Sequence, residues 1–335
     1  MPEVSALPGG VAASLRDEVA GAFAPGGAIS HAVPGFEARG GQREMAAAVA
    51  GVLVQGGVLL AEAGTGTGKT LAYLVPAILS RQRVLVSTGT KNLQEQIYFK
   101  DLPVLSEALG IPFKATYMKG RGNYLCLHRF GDLAALEGLG GNEGHYVRLI
   151  DAWRKVTPTG DRAEIEDLPE DLPFWNDISA SAENCIGSDC PQYQECFVTK
   201  MRQRAAEADV VIVNHHLLCA DAAVRQSAYG EVIPDCHYAV VDEAHQLEDV
   251  ATQYFGIAVS NYRIDDFARD VEKAVSSRMI DDADREDALR EDVEHLRDRV
   301  RTFFGALQMT RFSSGGAGFG LTGTESRTRI QADQL

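Results

Sequence analysis

The sequence predicts an α/β fold built around a parallel sheet. Two observations support this prediction, namely short uninterrupted apolar runs and the helical patterns that follow them. The apolar runs are Val58–Ala61, Arg83–Ser87, Val210–Val213 and Tyr238–Val241. Helical patterns follow the first two runs, at Lys69–Ser80 and Lys91–Ala108. Parallel strands buried on both faces have such continuous apolar runs, and their crossover connections are usually helices.

Length and composition favour a cytoplasmic protein of several units. A chain of 335 residues can form about two or three compact units, each with its own core. The N-terminal residues lack the features of a signal peptide, and the apolar stretch Val49–Ala61 is too short to span a bilayer. We therefore expect no membrane partner. In a reducing compartment, the six cysteines favour metal ligation or buried thiols over disulfides.

The net charge of −15 is not that of a typical nucleic-acid-binding protein. Acidic residues crowd Asp161–Asp177 and Asp265–Asp298, whereas basic residues gather around Lys119 and around Arg202. A locally basic groove can exist on an acidic protein. Composition alone therefore leaves nucleic-acid binding open.

Breaks in the strand–helix alternation divide the chain into five segments. Residues 121–199 interrupt the pattern and contain four of the cysteines, so we interpret them as an insertion in a loop of the sheet. Residues 258–335 begin with amphipathic helical patterns and end, after Arg311, in a polar stretch expected to be a loop or disordered. The predicted segments are 1–30 (a lead-in with a short helix), 31–120, 121–199, 200–257 and 258–335.

A glycine-rich segment lies between the first apolar run and its helix. It reads Ala63-Gly64-Thr65-Gly66-Thr67-Gly68-Lys69-Thr70. In this context the backbone N–H groups and the helix N-terminus would surround the phosphates of ATP. Lys69 would reach the β- and γ-phosphates, and the Thr70 hydroxyl would bind Mg²⁺. Ala63 replaces the first glycine of the usual pattern, and the alternative interpretation is a Gly/Thr-rich linker.

Two adjacent carboxylates follow the last apolar run. Asp242 is predicted to bind Mg²⁺, and Glu243 to orient or deprotonate the attacking water. The carboxyl ends of parallel strands form the crevice in which ligands bind. Alone, this pair could be an acidic helix cap. Together with the phosphate loop it predicts an ATP hydrolase.

Four cysteines fall within residues 121–199. They are Cys126, Cys185, Cys190 and Cys196, and the last three have the spacing C-x4-C-x5-C. Four thiolates can hold zinc or a 4Fe–4S cluster. The spacing lacks the C-x2-C pairs of structural zinc sites, and unconnected buried thiols remain an alternative. Cys219 and Cys236 lie outside this set.

The motifs, taken in order, resemble the XPD-like iron–sulfur helicases of superfamily 2, and within them the bacterial DinG/YoaA branch. The resemblance extends over roughly residues 34–257. The segments that carry it are Arg39–Gln42, Ala61–Thr70, Ser87–Gln96, Lys119–Cys126, Asn184–Val198, Asp209–Leu218 and Val240–His245.

This resemblance implies further roles for particular residues. Arg39 and Gln42 would recognise adenine, and His245 would couple the state of ATP to DNA binding. Thr88, Thr90 and Lys91 would contact DNA phosphates. Residues 31–120 and 200–257 would form a RecA-like first motor domain, residues 121–199 an iron–sulfur domain with a 4Fe–4S cluster on the four cysteines, and residues 258–335 the start of a helical arch.

The implied function is an ATP-dependent 5′-to-3′ DNA helicase, stimulated by single-stranded or 5′-tailed DNA and acting in repair or replication. The second motor domain and its arginine finger have no counterpart in the sequence. We therefore expect the N-terminal part of such a helicase, which does not unwind DNA by itself. The alternatives are a non-catalytic fragment that binds nucleotide and DNA around a cluster, and a zinc-binding ATPase.

Two sets of side chains leave their role open at this stage. Lys200, Arg202 and Arg204 could line a DNA path or form a solvated helix face. The aromatic residues Tyr124, Tyr193 and Phe197 could stack on bases, although packing around the cysteines is the preferred interpretation.

Overall fold

The computed structural model describes residues 9–33, 35–64, 66–134, 141–169, 172, 174–181, 184–226, 231–255, 261–276 and 283–313. The chain divides into two compact units, Met1–Gly256 and Ile257–Leu335. The polar stretch expected after Arg311 lies, beyond Ser313, outside the described residues. Among the described helices, none combines the length and the apolar character that a bilayer span requires.

The described strands of the first unit form one four-stranded parallel sheet. They are β1 (Val84–Thr88), β2 (Ala115–Tyr117), β3 (Val210–Asn214) and β4 (Tyr238–Val241). Their order across the sheet is β2-β3-β1-β4. Val84 lies opposite Val210 on one side and Tyr238 on the other. The prediction of an α/β fold with a parallel sheet is confirmed.

Helices connect these strands and cover the sheet. In the first unit they are α1 (Gly9–Ala22), α2 (Ala28–Ala32), α3 (Gly40–Gln55), α4 (Lys69–Leu79), α5 (Lys91–Gln96), α6 (Leu102–Leu109), α7 (Leu127–Ala134), α8 (Gly141–Trp153), α9 (Trp175–Ile178), α10 (Phe197–Glu207), α11 (His215–Gln226) and α12 (Leu247–Phe255). A π-helix, Ile97–Asp101, joins α5 to α6, and short 3₁₀ turns occur at Arg121–Asn123, Arg162–Glu164, Gly187–Asp189 and Ala244–Gln246.

Successive side chains of each strand enter two different cores. Val84, Val86 and Ile212 pack on one face, together with α1, α3 and α4. Leu85 and Val211 pack on the other face, where residues 121–199 supply most of the partners. This alternation follows from the two-residue period of a strand. The inserted segment therefore covers one face of the sheet instead of standing apart from it.

The N-terminal segment is more ordered than predicted. Leu15 and Val19 of α1, and Phe23 after it, are almost fully buried in the same core as α3 and α4. Apolar side chains with helical spacing bury one stripe of a helix, and here that stripe completes the core.

The predicted strand at Val58–Ala61 does not form. These residues belong to no strand, and Val58 and Leu60 are 90% and 92% exposed. An apolar run becomes a strand only when a neighbouring backbone supplies hydrogen-bond partners. In the described sheet, β4 pairs with β1 and with no other described strand.

The second unit contains α13 (Asn261–Ser276) and α14 (Ala283–Ser313), which pack on each other. Val275, Val293 and Val300 of these helices are buried, whereas Phe267 is 58% exposed, so the amphipathic helical pattern is only partly buried. An ion pair at 2.6 Å joins Arg297 Nη1 to Glu272 Oε1 across the two helices.

Candidate nucleotide site and cysteine region

The phosphate loop leads directly into α4, and its glycines are required by its conformation. Gly66 and Gly68 have φ values of 75° and 82°, in the left-handed region that favours glycine. A Cβ atom on Gly68 would also lie 2.1 Å from the Gln42 side chain. Thr65 lies outside the described residues. The loop therefore adopts the tight turn for which its sequence was identified.

Lys69 and Glu243 meet, although 174 residues separate them in the chain. The Lys69 ammonium donates a hydrogen bond to Glu243 Oε1 at 2.9 Å. This bond raises the pKa of Lys69 and lowers the pKa of Glu243. Both groups are therefore charged at neutral pH, and in the absence of nucleotide each neutralises the other.

Glu243 owes its position to an unusual backbone conformation. Its φ and ψ of 52° and 43° are left-handed, which is rare for a residue with a side chain. Such a conformation costs about 1–3 kcal/mol and is typical of functional sites. The preceding residue is fixed by the sheet, because the Asp242 N–H donates to the Ser87 carbonyl at 2.8 Å. The turn therefore directs Glu243 towards Lys69.

The two candidate Mg²⁺ ligands meet at the hydroxyl of Tyr73. This hydroxyl donates to Asp242 Oδ2 at 3.3 Å and also interacts with Thr70. Tyr73 is 1% exposed, and burial raises its pKa well above the ordinary value. Burial, followed by the charge of Glu243, raises the pKa of Asp242. A hydroxyl and a carboxylate this close together suit Mg²⁺, which prefers oxygen ligands.

The residues expected to recognise adenine contact the phosphate loop. Arg39 Nη1 donates to the Gly66 carbonyl, and Gln42 Nε2 donates to the Gly68 carbonyl at 3.0 Å. Gln42 is buried, whereas the Arg39 side chain is half exposed. Arg39 and Gln42 therefore stabilise the phosphate loop by hydrogen bonds to its carbonyl groups. Their role in adenine recognition stays a prediction.

The candidate DNA residues differ in exposure. Thr90 caps α5 by accepting a hydrogen bond from the Leu93 N–H at 3.2 Å, and both Thr90 and Lys91 are exposed. Lys91 Nζ donates to Asn123 Oδ1 at 2.7 Å. Thr88, in contrast, is 0% exposed, because it is the last residue of a central strand. Its position does not support the predicted phosphate contact.

His215 is a residue that the sequence analysis missed. It is fully buried, and its Nδ1 shares a hydrogen bond with Ser87 Oγ at 2.7 Å. Burial lowers its pKa, while backbone groups of Glu243 and Asp242 act in the opposite sense. Its Nδ1 therefore links the ends of β3 and β1, while its Nε2 is buried without a hydrogen-bond partner among the described residues. The available signal was its place directly after a strand, where polar side chains reach the crevice.

The loops after β1 and β4 also touch directly. A Cβ atom on Gly89 would lie 2.1 Å from Gln246 Oε1, so the Gln246 side chain packs closely on this glycine. His245 is more open, with a side chain that is 72% exposed and an Nδ1 that lies 3.6 Å from Glu243 Oε2. Its coupling role is not tested by this geometry. The turn that contains the candidate DNA residues thus packs against the turn that contains the candidate catalytic carboxylate.

The four cysteines of residues 121–199 lie in one region and form no disulfide. The pKa of the Cys126 thiol is raised, mainly because the thiol is partly buried. The electrostatic effects of Cys190 and Cys196 raise this pKa as well. Cys185 and Cys196 in turn interact electrostatically with Arg202. Within the described residues, no three Cys, His or acidic side chains are already arranged to hold a metal ion.

Most of the basic residues grouped by the sequence analysis have other partners. Lys119 is 2% exposed and lies 2.6 Å from both Glu95 Oε1 and Asp161 Oδ2, so it is not part of a DNA groove. Lys200 pairs with Glu195, and Arg204 donates to the Pro158 carbonyl at 3.1 Å. The insertion is thus tied to α5 by a buried ion pair.

Two of the three aromatic residues considered for base stacking pack inside the insertion, whereas the third, Tyr193, is 37% exposed. Tyr124 is 1% exposed, and its hydroxyl accepts a hydrogen bond from the Lys119 N–H at 3.1 Å. Phe197 is 6% exposed. Packing, and not base stacking, is therefore the role that the positions of Tyr124 and Phe197 support.

Comparison with known proteins identifies the same regions. The family model of the DEAD/DEAH box helicases matches residues 42–122. The chain is 45% identical to the ATP-dependent DNA helicase YoaA of Escherichia coli (strain K12) over 260 residues, which are 77% of this chain and 41% of that protein.

Other relatives include YoaA of Haemophilus influenzae, at 42% identity over 76% of this chain and 40% of that protein. The ATP-dependent helicase DinG of Mycobacterium tuberculosis is 38% identical over 75% of this chain and 41% of that protein. The chain therefore spans about two fifths of the length of these relatives. The chain therefore contains a DEAD/DEAH box helicase domain match at residues 42–122 and is homologous, over about three quarters of its length, to the helicases named YoaA and DinG.

Proposed function

We propose that this chain supplies the ATP-binding motor domain of an ATP-dependent DNA helicase that moves 5′ to 3′ and acts in DNA repair or replication. One observation carries the proposal: the ammonium of Lys69, the carboxylates of Asp242 and Glu243 and the hydroxyl of Thr70 converge at the carboxyl edge of a parallel sheet. Ligands of such sheets bind at this edge.

The Lys69–Glu243 ion pair would separate when ATP binds, and each residue would then act on a different part of the reaction. The γ-phosphate competes for Lys69, whose ammonium then leaves Glu243. The released carboxylate is free to orient the attacking water and accept its proton. Because the pKa of Glu243 is lowered by Lys69, its release also makes it a stronger base.

Thr70 and Asp242 would hold Mg²⁺, which supplies positive charge to the phosphates when it is bound. Both residues already contact the Tyr73 hydroxyl. Tyr73 thus keeps the two oxygen ligands close together, and the protein does not have to bring them together during the reaction.

The DNA partner is proposed to be single-stranded or 5′-tailed DNA. Support comes from the exposed N-terminus of α5, where Thr90 and Lys91 present a helix end and an ammonium to solvent. Phosphate groups bind favourably at such positions. Contact between Gly89 and Gln246 offers a direct route from this surface to Glu243.

The four cysteines are proposed to hold a 4Fe–4S cluster, which would give the insertion a metal-centred core and a one-electron redox couple. Support comes from the chemistry of the donor set, since all four side chains are thiols and Cys126 interacts electrostatically with Cys190 and Cys196. The described side chains are not arranged to hold a metal ion, so the cluster stays a proposal based on residue type and resemblance.

The nucleotide proposal is tested by equilibrium binding of a fluorescent, non-hydrolysable ATP analogue to this chain with Mg²⁺. We expect Lys69→Ala to weaken binding by at least about tenfold, since a charge-assisted contact to phosphate is lost. Lys114→Ala, at an exposed ion pair with Glu207, is the matched control. Equal affinity in all three proteins would overturn the proposed site. Binding without any hydrolysis would favour the non-catalytic alternative.

Polarity is tested on the whole protein that contains this chain. Duplexes with either a 5′ or a 3′ single-stranded tail are mixed with enzyme, ATP and Mg²⁺, and strand separation is followed by fluorescence. We expect separation of the 5′-tailed substrate only. Preference for the 3′ tail would leave the ATP site intact and reverse the proposed direction.

A further inference from the structure

The two central strands change from apolar to polar residues at the same edge of the sheet. β1 ends in Ser87 and Thr88, and β3 ends in Asn214, which His215 follows. Ser87 and His215 are nevertheless 1% and 0% exposed. Burying polar groups is costly, and such departures from an apolar interior are typical of functional sites. Neither side chain is among the groups proposed to bind ATP or Mg²⁺.

The side chains of Ser87 and His215 bind each other. His215 Nδ1 and Ser87 Oγ share a hydrogen bond at 2.7 Å. Asn214 holds the histidine in place, because its Oδ1 accepts a hydrogen bond from the Leu217 N–H at 2.8 Å and so caps α11, whose first residue is His215. The junction of β3 and α11 therefore fixes the position of the His215 ring.

Ser87 also holds the carboxylate turn, through its backbone. Its carbonyl accepts a hydrogen bond from the Asp242 N–H at 2.8 Å, just before Glu243. Glu243 has a left-handed φ of 52°, and a strained residue keeps such a conformation only where its surroundings hold it. The bond to Ser87 is one such restraint. Two hydrogen bonds in series therefore connect His215 to the backbone that precedes Glu243.

The second ring nitrogen of His215 also argues against a purely structural role. Its Nε2 is buried and has no hydrogen-bond partner among the described residues. An unpaired polar atom in the interior is destabilising, so an apolar side chain would suit this position better if packing were the only requirement.

We propose that His215 is a positioning residue of the ATP site, which binds Ser87 and so holds the turn that directs Glu243 towards the attacking water. This inference rests on the proposed function, in which Glu243 orients that water. Without the bond to His215, Ser87 and the Asp242 N–H can shift. An error of about 1 Å in the position of a catalytic group can lower a rate about a hundredfold. Lys69 and the phosphate loop lie on another segment, so nucleotide affinity should be retained.

The test measures steady-state ATP hydrolysis by the whole protein that contains this chain, with Mg²⁺ and single-stranded DNA. Wild type is compared with His215→Gln and His215→Asn. Asparagine carries its polar atoms on Cγ, the carbon that bears Nδ1 in histidine, whereas glutamine carries them one carbon further out. We expect His215→Gln to lower kcat about ten- to a hundredfold and to change KM by less than about twofold. His215→Asn should recover much of the loss.

A matched control separates positioning from stability. Leu217 is buried in the first turn of the same helix and packs in the apolar core. Leu217→Ala should lower the melting temperature and leave kcat unchanged. If it lowers kcat as much as His215→Gln at equal loss of stability, the inference is overturned.

Ser87→Ala tests the route by which His215 acts, and it removes only a hydroxyl, so it also serves where His215→Gln does not fold. It should lower kcat and leave KM unchanged. If His215 acts through Ser87, kcat of the double variant Ser87→Ala/His215→Gln should fall no further than in the single variants. Additive losses would contradict this route.

The remaining outcomes distinguish the inference from the proposed function. Unchanged kcat in both His215→Gln and Ser87→Ala, in a protein that hydrolyses ATP, overturns the inference alone. A raised KM with unchanged kcat also overturns it, because His215 would then support nucleotide binding. A wild-type protein that does not hydrolyse ATP removes the proposed function and this inference together.

Discussion

The nucleotide site and the cysteine region differ in how far the protein prepares them before a ligand arrives. At the nucleotide site, charged groups already have partners: Lys69 binds Glu243, and Asp242 binds the Tyr73 hydroxyl. In the cysteine region the thiols are unpaired, and Arg202 Nε has no hydrogen-bond partner among the described residues. The first site is therefore organised by contacts between its own side chains, whereas the thiols of the second make no such contacts with one another among the described residues.

The supporting structure explains this difference. Asp242 and Glu243 follow β4, whose ladder with β1 fixes the backbone of the sheet edge. Cys185 is exposed and lies in a loop before the 3₁₀ turn Gly187–Asp189. A strand ladder positions side chains by backbone hydrogen bonds, but a loop of this kind depends on side-chain or metal contacts.

Replacing a cysteine gives the largest expected effect and tests the cysteine region directly. Cys126→Ser should lose the iron and the visible absorbance of the anaerobically purified chain, because an alcohol is a poor ligand for iron compared with a thiolate. Cys236→Ser, outside the set of four, is the matched control and should keep both. A Cys126→Ser chain that still contains iron would contradict this prediction, since the cysteine region would then bind the metal without this thiol.

Removing His215 tests whether the strand ends at the nucleotide site depend on one another. His215→Ala should lower the free energy of unfolding by about 2–4 kcal/mol, because it leaves a cavity and deprives Ser87 of a buried partner. The neighbouring His216 is exposed, so His216→Ala should change stability by less than about 0.5 kcal/mol. Urea denaturation measures both. His215→Asn, which keeps a donor or acceptor near Ser87, should recover part of the loss.

A smaller effect is expected at Gly68. Gly68→Ala should cost about 1–2 kcal/mol of stability, because an L-residue is strained at its φ of 82°. Its Cβ would also displace Gln42. Gly122→Ala, where a Cβ meets nothing within 4 Å, serves as a control. Thermal unfolding with and without the ATP analogue separates the loss of stability from the loss of nucleotide binding. Equal melting temperatures for the two variants would show that the loop is not fixed in this conformation.

The smallest effect concerns Asp101, at the end of the π-helix. Burial raises its pKa from 3.8 to about 6, and its Oδ2 has no hydrogen-bond partner among the described residues. The folded state therefore binds this proton more tightly than the unfolded state. Its contribution to stability is most favourable below the unfolded pKa and declines as pH rises through about 6.

Asp101→Asn removes this titration and should be more stable than wild type at pH 7, by at most about 1 kcal/mol because solvent screens the partly exposed group. The difference should shrink as pH falls towards 4. Urea denaturation at several pH values measures it, with the exposed Asp17→Asn as control. A constant difference across this range would contradict a titrating Asp101.

The order of residues along the chain was sufficient to predict those roles that depend on a local sequence pattern. The phosphate loop is defined by glycines that allow left-handed backbone next to a helix start, and Asp242-Glu243 by its place after an apolar run. The parallel sheet followed from the same apolar runs. These features are encoded within a few residues, so no long-range contact had to be known.

Tertiary structure alone decided which side chains are buried together. It brought His215 and Tyr73 to the carboxylate turn and buried Lys119 between Glu95 and Asp161. No local pattern distinguishes a basic residue in such a buried ion pair from one on a solvated surface.

The same reason explains why the strand predicted at Val58–Ala61 does not form. These residues are apolar, but a strand also needs a neighbouring backbone with which to pair. Burial and strand pairing are properties of two or more distant segments. The sequence by itself therefore predicted the chemistry that we propose for the nucleotide site. The fold decided which residues support that chemistry and which charges remain without a partner.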